Sequence, residues 1–334
     1  MIKIDGSKGE GGGQILRTSL SLSAITGKEI VIEKIRAGRE KPGLKRQHLT
    51  CVKAVAEICS AETSELEVGV STLHFKPDTI KAGDYRFDVG TAGSVTLVAQ
   101  AVIPVLLMAD SLSTVVITGG THVSFAPTYE FFDECYISEL RKMGANIETS
   151  IERYGFYPAG GGMIKLKISP FDKAIRNKYY TMKNLGAYSG GYVEAVVSDI
   201  SKDIAESECK IVGLKLYNLG ITQHPHIVES VGPGNFCIVK LTYENATVVF
   251  SSIGSYRRSR KAVASEVSQA VQKFVKSEKS CEVHLADQLL LPYALLVADG
   301  IDNFNSDTSA WLDAQEKSLH FTTNLDVINY FKTK

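Results

Sequence analysis

The sequence has 334 residues, 44% of them apolar, which is enough chain to bury a core and to build two domains or one elaborated one. Lys plus Arg and Asp plus Glu each number 37, which excludes a uniformly basic nucleic-acid coat and an acidic solvating chain. The balance conceals a polarity: residues 1–50 carry ten basic against five acidic side chains, and residues 281–334 carry three against eight.

Taken in chain order, residues 1–6 lack a charged start followed by an apolar run, so no targeting segment is expected. Gly9-Glu10-Gly11-Gly12-Gly13 feeds a helix that ends at Gly27. Such a run suits a tight turn, or an anion held on backbone N–H groups. It lacks the Gly-Lys-Ser/Thr of a P-loop, and Glu10 inside it would suit a metal ligand. Residues 30–35 alternate as a strand. Five cations then fall within residues 36–46, around Gly38 and Pro42-Gly43. Arginine forks bind phosphate oxygens bidentately, whereas a solvated basic face is the plainer reading.

Residues 44–60 read as an amphipathic helix with Leu44, His48, Val52, Ala56 and Cys59 on one stripe. Gly90-Thr91-Ala92-Gly93 echoes the first glycine turn. Residues 115–118 form a short buried strand, and residues 127–144 a helix with proline near its start and glycine past its end. From residue 181 the pattern changes: strand 192–198, helix 202–218, hairpin 236–243 with 247–252, and helix 259–277. The stripe of that last helix is Val263, Val267, Ala270, Val271, Phe274 and Val275. This segment reads as an insertion. His224-Pro225-His226 is a metal pair or, more simply, a loop. His284, Asp287 and Gln288 interrupt an apolar stretch and need partners, in a core or in a pocket. His320, near a terminus, precedes Thr323-Asn324 and a helix. The apolar stretches 95–109 and 289–298 are too short to span a bilayer, so no membrane partner is expected. Six cysteines without a CxxC pair read as buried thiols of a cytoplasmic protein.

In this order the motifs resemble the RNA 3′-terminal phosphate cyclases over nearly the whole chain. The pieces are residues 9–17; Arg36-Ala37-Gly38-Arg39 with Pro42-Gly43-Leu44 and Arg46-Gln47-His48; Gly83-Asp84-Tyr85-Arg86-Phe87; residues 155–162; Gly232-Pro233-Gly234-Asn235; and residues 284–292. The resemblance implies an α+β fold, with a large domain of three repeated βαβαββ units similar to enolpyruvyl-shikimate-phosphate synthase. A smaller α+β domain is inserted in the third unit. The boundaries are then 1–180 and 277–334 for the large domain and 181–276 for the insertion. It also implies conversion of an RNA 3′-phosphate to a 2′,3′-cyclic phosphate with ATP and a divalent cation, Mg²⁺ or Mn²⁺. A homo-oligomer is compatible with this.

Residue by residue, His320 resembles the family's catalytic histidine and Glu10 its metal ligand. Arg17, Arg36, Arg39, Gln47 and His48 resemble the phosphate site. Gln100 resembles the nucleotide-contacting glutamine, Pro127 and Phe131 the residues packed on adenine, and His284 a base-stacking position. Leu285, Ala286, Asp287 and Gln288 complete the nucleotide pocket. The spacer between Pro292 and His320 is longer than in bacterial relatives. Two other readings share the architecture: a ribosome-biogenesis scaffold without adenylation, which would lack His320, and an enolpyruvyl-type transferase, whose motifs are absent. A bare RNA-binding module leaves Glu10, Gln100 and His320 unexplained.

Overall fold

The computed structural model describes residues 1–8, 12–172, 184–296 and 319–332, with the side chains of 319–323 and 325 outside that description. Glu10, the expected boundary near 181 and the spacer 297–318 therefore lie outside the described residues.

The first sheet takes its strands in the order β1 (Ile2–Asp5), β2 (Ile30–Glu33), β4 (Leu73–Lys76), β3 (Glu62–Thr63). Helix α1 (Gln14–Thr26) joins β1 to its parallel neighbour β2, and α2 (Arg46–Ile58) follows. A left-handed Gly27 stops α1, as C-cap glycines do. The second sheet repeats this order with β5 (Asp84–Asp88), β6 (Ser113–Gly119), β8 (Gly162–Ile168) and β7 (Ile147–Arg153). In each sheet the first pair is parallel and the other two antiparallel. Alternate residues of β6 are buried, the period-two signature of a half-covered strand. Helix α3 (Val95–Leu106) is apolar nearly all round and correspondingly buried. The helix expected over 127–144 is π-wound at Phe131–Ile137 before continuing as α4 (Ser138–Lys142), an irregularity that periodicity does not reveal.

The third sheet differs, with the order β10 (Thr222–Ile227), β9 (Tyr188–Ser198), β11 (Gly234–Tyr243), β12 (Thr247–Ile253). Helices α5 (Lys202–Lys215) and α6 (Arg260–Ser277) pack on it. Ser201 and Ser259 cap them, each accepting a backbone N–H. The loop expected at His224-Pro225-His226 is instead the edge strand β10, where the missing proline N–H is tolerated. His224 there bonds Thr222 and His226 pairs with Glu194.

Two apolar clusters result. One runs through the first two sheets and through α7 (Val283–Leu296) and α8 (Leu319–Lys332), and the other lies between the third sheet and α5 and α6. Helix α8 begins before His320 and not after Asn324, because Asn324, Val327, Ile328 and Phe331 are all buried on one face. It packs on α1 and α7, and Lys28 donates to the Phe331 carbonyl. The first helix and the last described helix of the chain thus meet. All six cysteines are buried and unpaired; burial raises the Cys51 and Cys209 thiols to about 11, keeping them protonated.

Candidate active site

A cleft of about 2640 Å³ runs between the first two sheets and the third. Eleven Lys and Arg side chains line it against four Asp and Glu, so a neutral chain concentrates its positive charge here. Helix starts add to that field. Gly12-Gly13-Gln14 of α1, Lys45, Gln47 and His48 of α2, Gly93-Ser94 before α3, and Ser259-Arg260 of α6 all line it. None of these four helices carries an acid in its first turn. Their unpaired N–H groups and dipoles favour an anion.

The walls are fixed by short bonds. The Lys45 backbone N–H donates to His48 Nδ1 at 3.2 Å, which leaves the ring proton on Nε2. Burial, then the charges of Arg17, Arg36 and Lys45, pull the His48 pKa down to about 3, so the imidazole is neutral. A Cβ at Gly13 would overlap that ring and crowd the Arg17 guanidinium, so only glycine lets the α1 turn approach it. Arg17 donates to Gln14 Oε1 at 2.5 Å. Arg36, at φ +55°, donates to the Lys41 and Gly43 carbonyls and so fixes the curl of its own loop. Gln47 Oε1 accepts the Ser94 N–H at 2.7 Å, tying α2 to the start of α3.

At the start of α7, Glu282 accepts the backbone N–H groups of His284 and Leu285 and binds His284 Nδ1 at 2.6 Å. That hydrogen bond raises the His284 pKa, while two-thirds of its side chain stays exposed. Gln100 Nε2 donates to Gln288 Oε1 at 2.5 Å in a smaller cavity bordered by Gln14, Arg17 and Asn324.

A model of the family described as RNA 3′-terminal phosphate cyclase matches residues 8–333. The chain belongs to the RNA 3′-terminal phosphate cyclase family. A curated protein of that name from Koribacter versatilis is 41% identical, covering 99% of this chain and 90% of its own. One from Ralstonia nicotianae is 39% identical, covering 99% and 91%.

In this member of the cyclase family, Arg17, Arg36, Arg39, Gln47, His48, Pro127, Phe131, His284, Asp287 and Gln288 all border the large cleft. Gln100 reaches it only through Gln288. Leu285 and Ala286 do not line it; they pack in the core, on the other face of α7. His320 lies in the first turn of α8, its side chain outside the described residues.

Sequence reasoning passed over two acids beside the cleft, one half-buried and one wholly buried. Glu130 binds His122 Nε2 at 2.8 Å, and the His122 ring stacks on Phe236 of β11 with centroids 3.9 Å apart. Burial would raise the Glu130 pKa, but the attraction of His122 and its hydrogen bond outweigh this and lower it. Glu208, wholly buried on α5, accepts from Asn235 at 2.9 Å through Oε2, while Oε1 has no hydrogen-bond partner. Burial pushes its pKa up to about 7, against the opposing pull of Asn235 and Arg258. Its signal was an acid at i+3 from Ala205 on an otherwise apolar stripe.

Proposed function

We propose that this protein is an ATP-dependent RNA 3′-terminal phosphate cyclase acting through its C-terminal histidine. The observation that carries the reading is the cleft itself, where cations and helix starts free of acidic side chains converge beside an exposed histidine and paired glutamines. That donor set fits a nucleoside triphosphate and a terminal phosphate together. Pro127 and Phe131 offer an apolar seat for a base, and His284 a ring to stack on it. Asp287 and Gln288 supply polar edges.

The chemistry then runs in three transfers. A neutral ring nitrogen of His320 attacks the α-phosphorus of ATP, and pyrophosphate leaves with the electron pair of the broken P–O bond. An oxygen of the RNA 3′-phosphate attacks that phosphorus and frees the histidine. The neighbouring 2′-OH then attacks the activated 3′-phosphorus, loses its proton, and AMP departs. Arg17, Arg36 and Arg39 stabilise charge on the phosphates, and neutral His48 can donate from Nε2. The last transfer is intramolecular and needs a ribose end, which DNA lacks.

Among the described residues, no three His, Cys, Asp or Glu side chains gather as a metal site. A Mg²⁺ or Mn²⁺ ion would have Glu10 as its carboxylate from the sequence and would neutralise phosphate charge. No described helix is long and apolar enough to cross a membrane. A cytoplasmic setting is part of the proposal, supported by six unpaired thiols. So are a three-unit large domain and an inserted 181–276 domain. The shared strand order of the first two sheets and the separate core of the third support these.

The test is incubation with ATP labelled at the α-phosphate and Mg²⁺ or Mn²⁺. Acid-labile label on the wild-type protein, absent in His320→Ala, is expected. Unlabelled wild type would overturn adenylation in favour of the scaffold reading, and label persisting in His320→Ala would move the nucleophile.

A further inference from the structure

Three aromatic side chains on the cleft do nothing for the fold. Phe125 and Tyr256 are fully exposed and Tyr157 is 78% exposed, yet all three line the same cleft. They come from different loops: Phe125 from the one after β6, Tyr157 from the one between β7 and β8, and Tyr256 from the one between β12 and α6. Phe125 also holds a left-handed backbone, φ +62°, which is costly for a bulky side chain. A strained, wholly exposed phenylalanine gains nothing from packing, and such outliers cluster where a ligand is met.

Cations line the same cleft as these rings. Arg257, Arg260, Lys273 and Lys276 are exposed, line the cleft, and have no carboxylate partner among the described residues. Their neighbour Arg258 is instead committed to Glu266. Cations without carboxylate partners and open aromatic faces in one cleft are what a single strand requires, since phosphates seek the cations and unstacked bases seek the rings. A folded protein partner would call for a contiguous apolar patch and not three separate rings. A duplex would offer no free base faces.

We propose that Phe125, Tyr157 and Tyr256, with Arg257, Arg260, Lys273 and Lys276, form a track that holds the single-stranded RNA upstream of the reacting 3′ end. The proposal rests on the cyclase reading for the direction of the strand. The track is sequence-tolerant, because every base has a face to stack.

The test compares single-stranded oligoribonucleotides bearing a 3′-phosphate, one of about ten nucleotides and one of two, by fluorescence anisotropy. Wild type should bind the longer far more tightly. Phe125→Gly and Tyr256→Ala should each weaken the longer by roughly tenfold and leave the dinucleotide unchanged. Arg260→Gln with Lys276→Gln should flatten the salt dependence. Glycine suits the backbone at position 125, so the melting temperature of Phe125→Gly should hold or rise, which separates RNA loss from misfolding. Labelling of the enzyme by ATP without RNA should be unaltered in Phe125→Gly and in Tyr256→Ala. Unchanged affinity for the longer strand, or equal loss for both lengths, would overturn the track. Anisotropy needs no catalysis. An unlabelled wild type whose length preference the variants abolish would refute the cyclase reading and leave the track standing.

Discussion

Thr18 and Asn324 lie 306 residues apart in sequence, and the threonine hydroxyl donates to the Asn324 carboxamide oxygen at 2.7 Å. Gln14 donates to the same oxygen at 3.1 Å, and the Asn324 amide donates to the Asp287 carbonyl at 2.9 Å. One buried amide thus joins α1, α7 and α8, one helical turn beyond His320. If His320 is the nucleophile, Asn324 is expected to act as a positioning residue. Asn324→Leu should destabilise the protein by roughly 2–3 kcal/mol, because it strands two donors and a carbonyl. It should also slow labelling by ATP while leaving the KM for ATP within about twofold. A KM rise with unchanged turnover would place Asn324 in nucleotide binding instead.

His48 gives the fold a defined acid sensitivity. Its folded pKa of about 3 lies below the ordinary 6.5, so the unfolded chain binds the extra proton as pH falls between those values. Stability is retained above 6.5 and lost toward 3, by on the order of 5 kcal/mol. Urea unfolding at pH 7 and pH 4 should show a smaller drop for His48→Gln than for wild type. An equal drop would mean that other groups carry the acid lability.

Glu208 acts in the opposite sense. Its folded pKa of about 7 exceeds the ordinary 4.5, so the folded protein holds its proton more tightly and stability falls as pH rises through that window. Above it the buried charge costs on the order of 3 kcal/mol. Glu208→Gln should raise the melting temperature at pH 8 and change it little at pH 5. A lower melting temperature at pH 8 would show that the carboxylate is stabilising.

Gln100 should matter through its neighbour. Gln100→Leu leaves Gln288 Oε1 without its donor, so the KM for ATP in enzyme labelling should rise by roughly tenfold. Gln288→Ala in the same background should add little further. Additive losses would show that the two amides contact the nucleotide separately.

Gly13→Ala drives a methyl group into the His48 ring. RNA cyclisation should fall at least tenfold, roughly the effect of small displacements in a positioned site, with cooperative unfolding retained. Restored activity in Gly13→Ala combined with His48→Ala would show that steric overlap alone was at fault.

The segments that were legible in sequence are those with strong local signals. Helices α5 and α6 stand within a few residues of the expected 202–218 and 259–277, α6 on its stripe of Val263, Val267, Val271 and Phe274, and the β11–β12 hairpin lies where its strand pattern put it. What failed was non-local. The proline in β10 reads as a loop until β9 is beside it. The start of α8 is hidden in Thr322-Thr323, because only packing on α1 shows that Asn324 is interior. The π-winding at Phe131–Ile137 keeps the composition of an ordinary helix. In the site, the basic loop and α7 were legible as motifs, but helical period divides what a motif joins. Residues 284, 287 and 288 face the cleft while 285 and 286 enter the core. The His122–Glu130 pair depends on the curl of an intervening loop, and Glu208 on a sheet whose pairing no local pattern records.

The six sheltered thiols give the molecule a two-channel record of its own breathing. Cys51, Cys59, Cys135 and Cys281 sit in the larger apolar cluster and Cys209 and Cys237 in the smaller. A brief pulse of alkylating reagent modifies a sulfur only while its surroundings are open, so each set times the exposure of its own interior. ATP or RNA that closes the cleft from one side only would slow one set and spare the other.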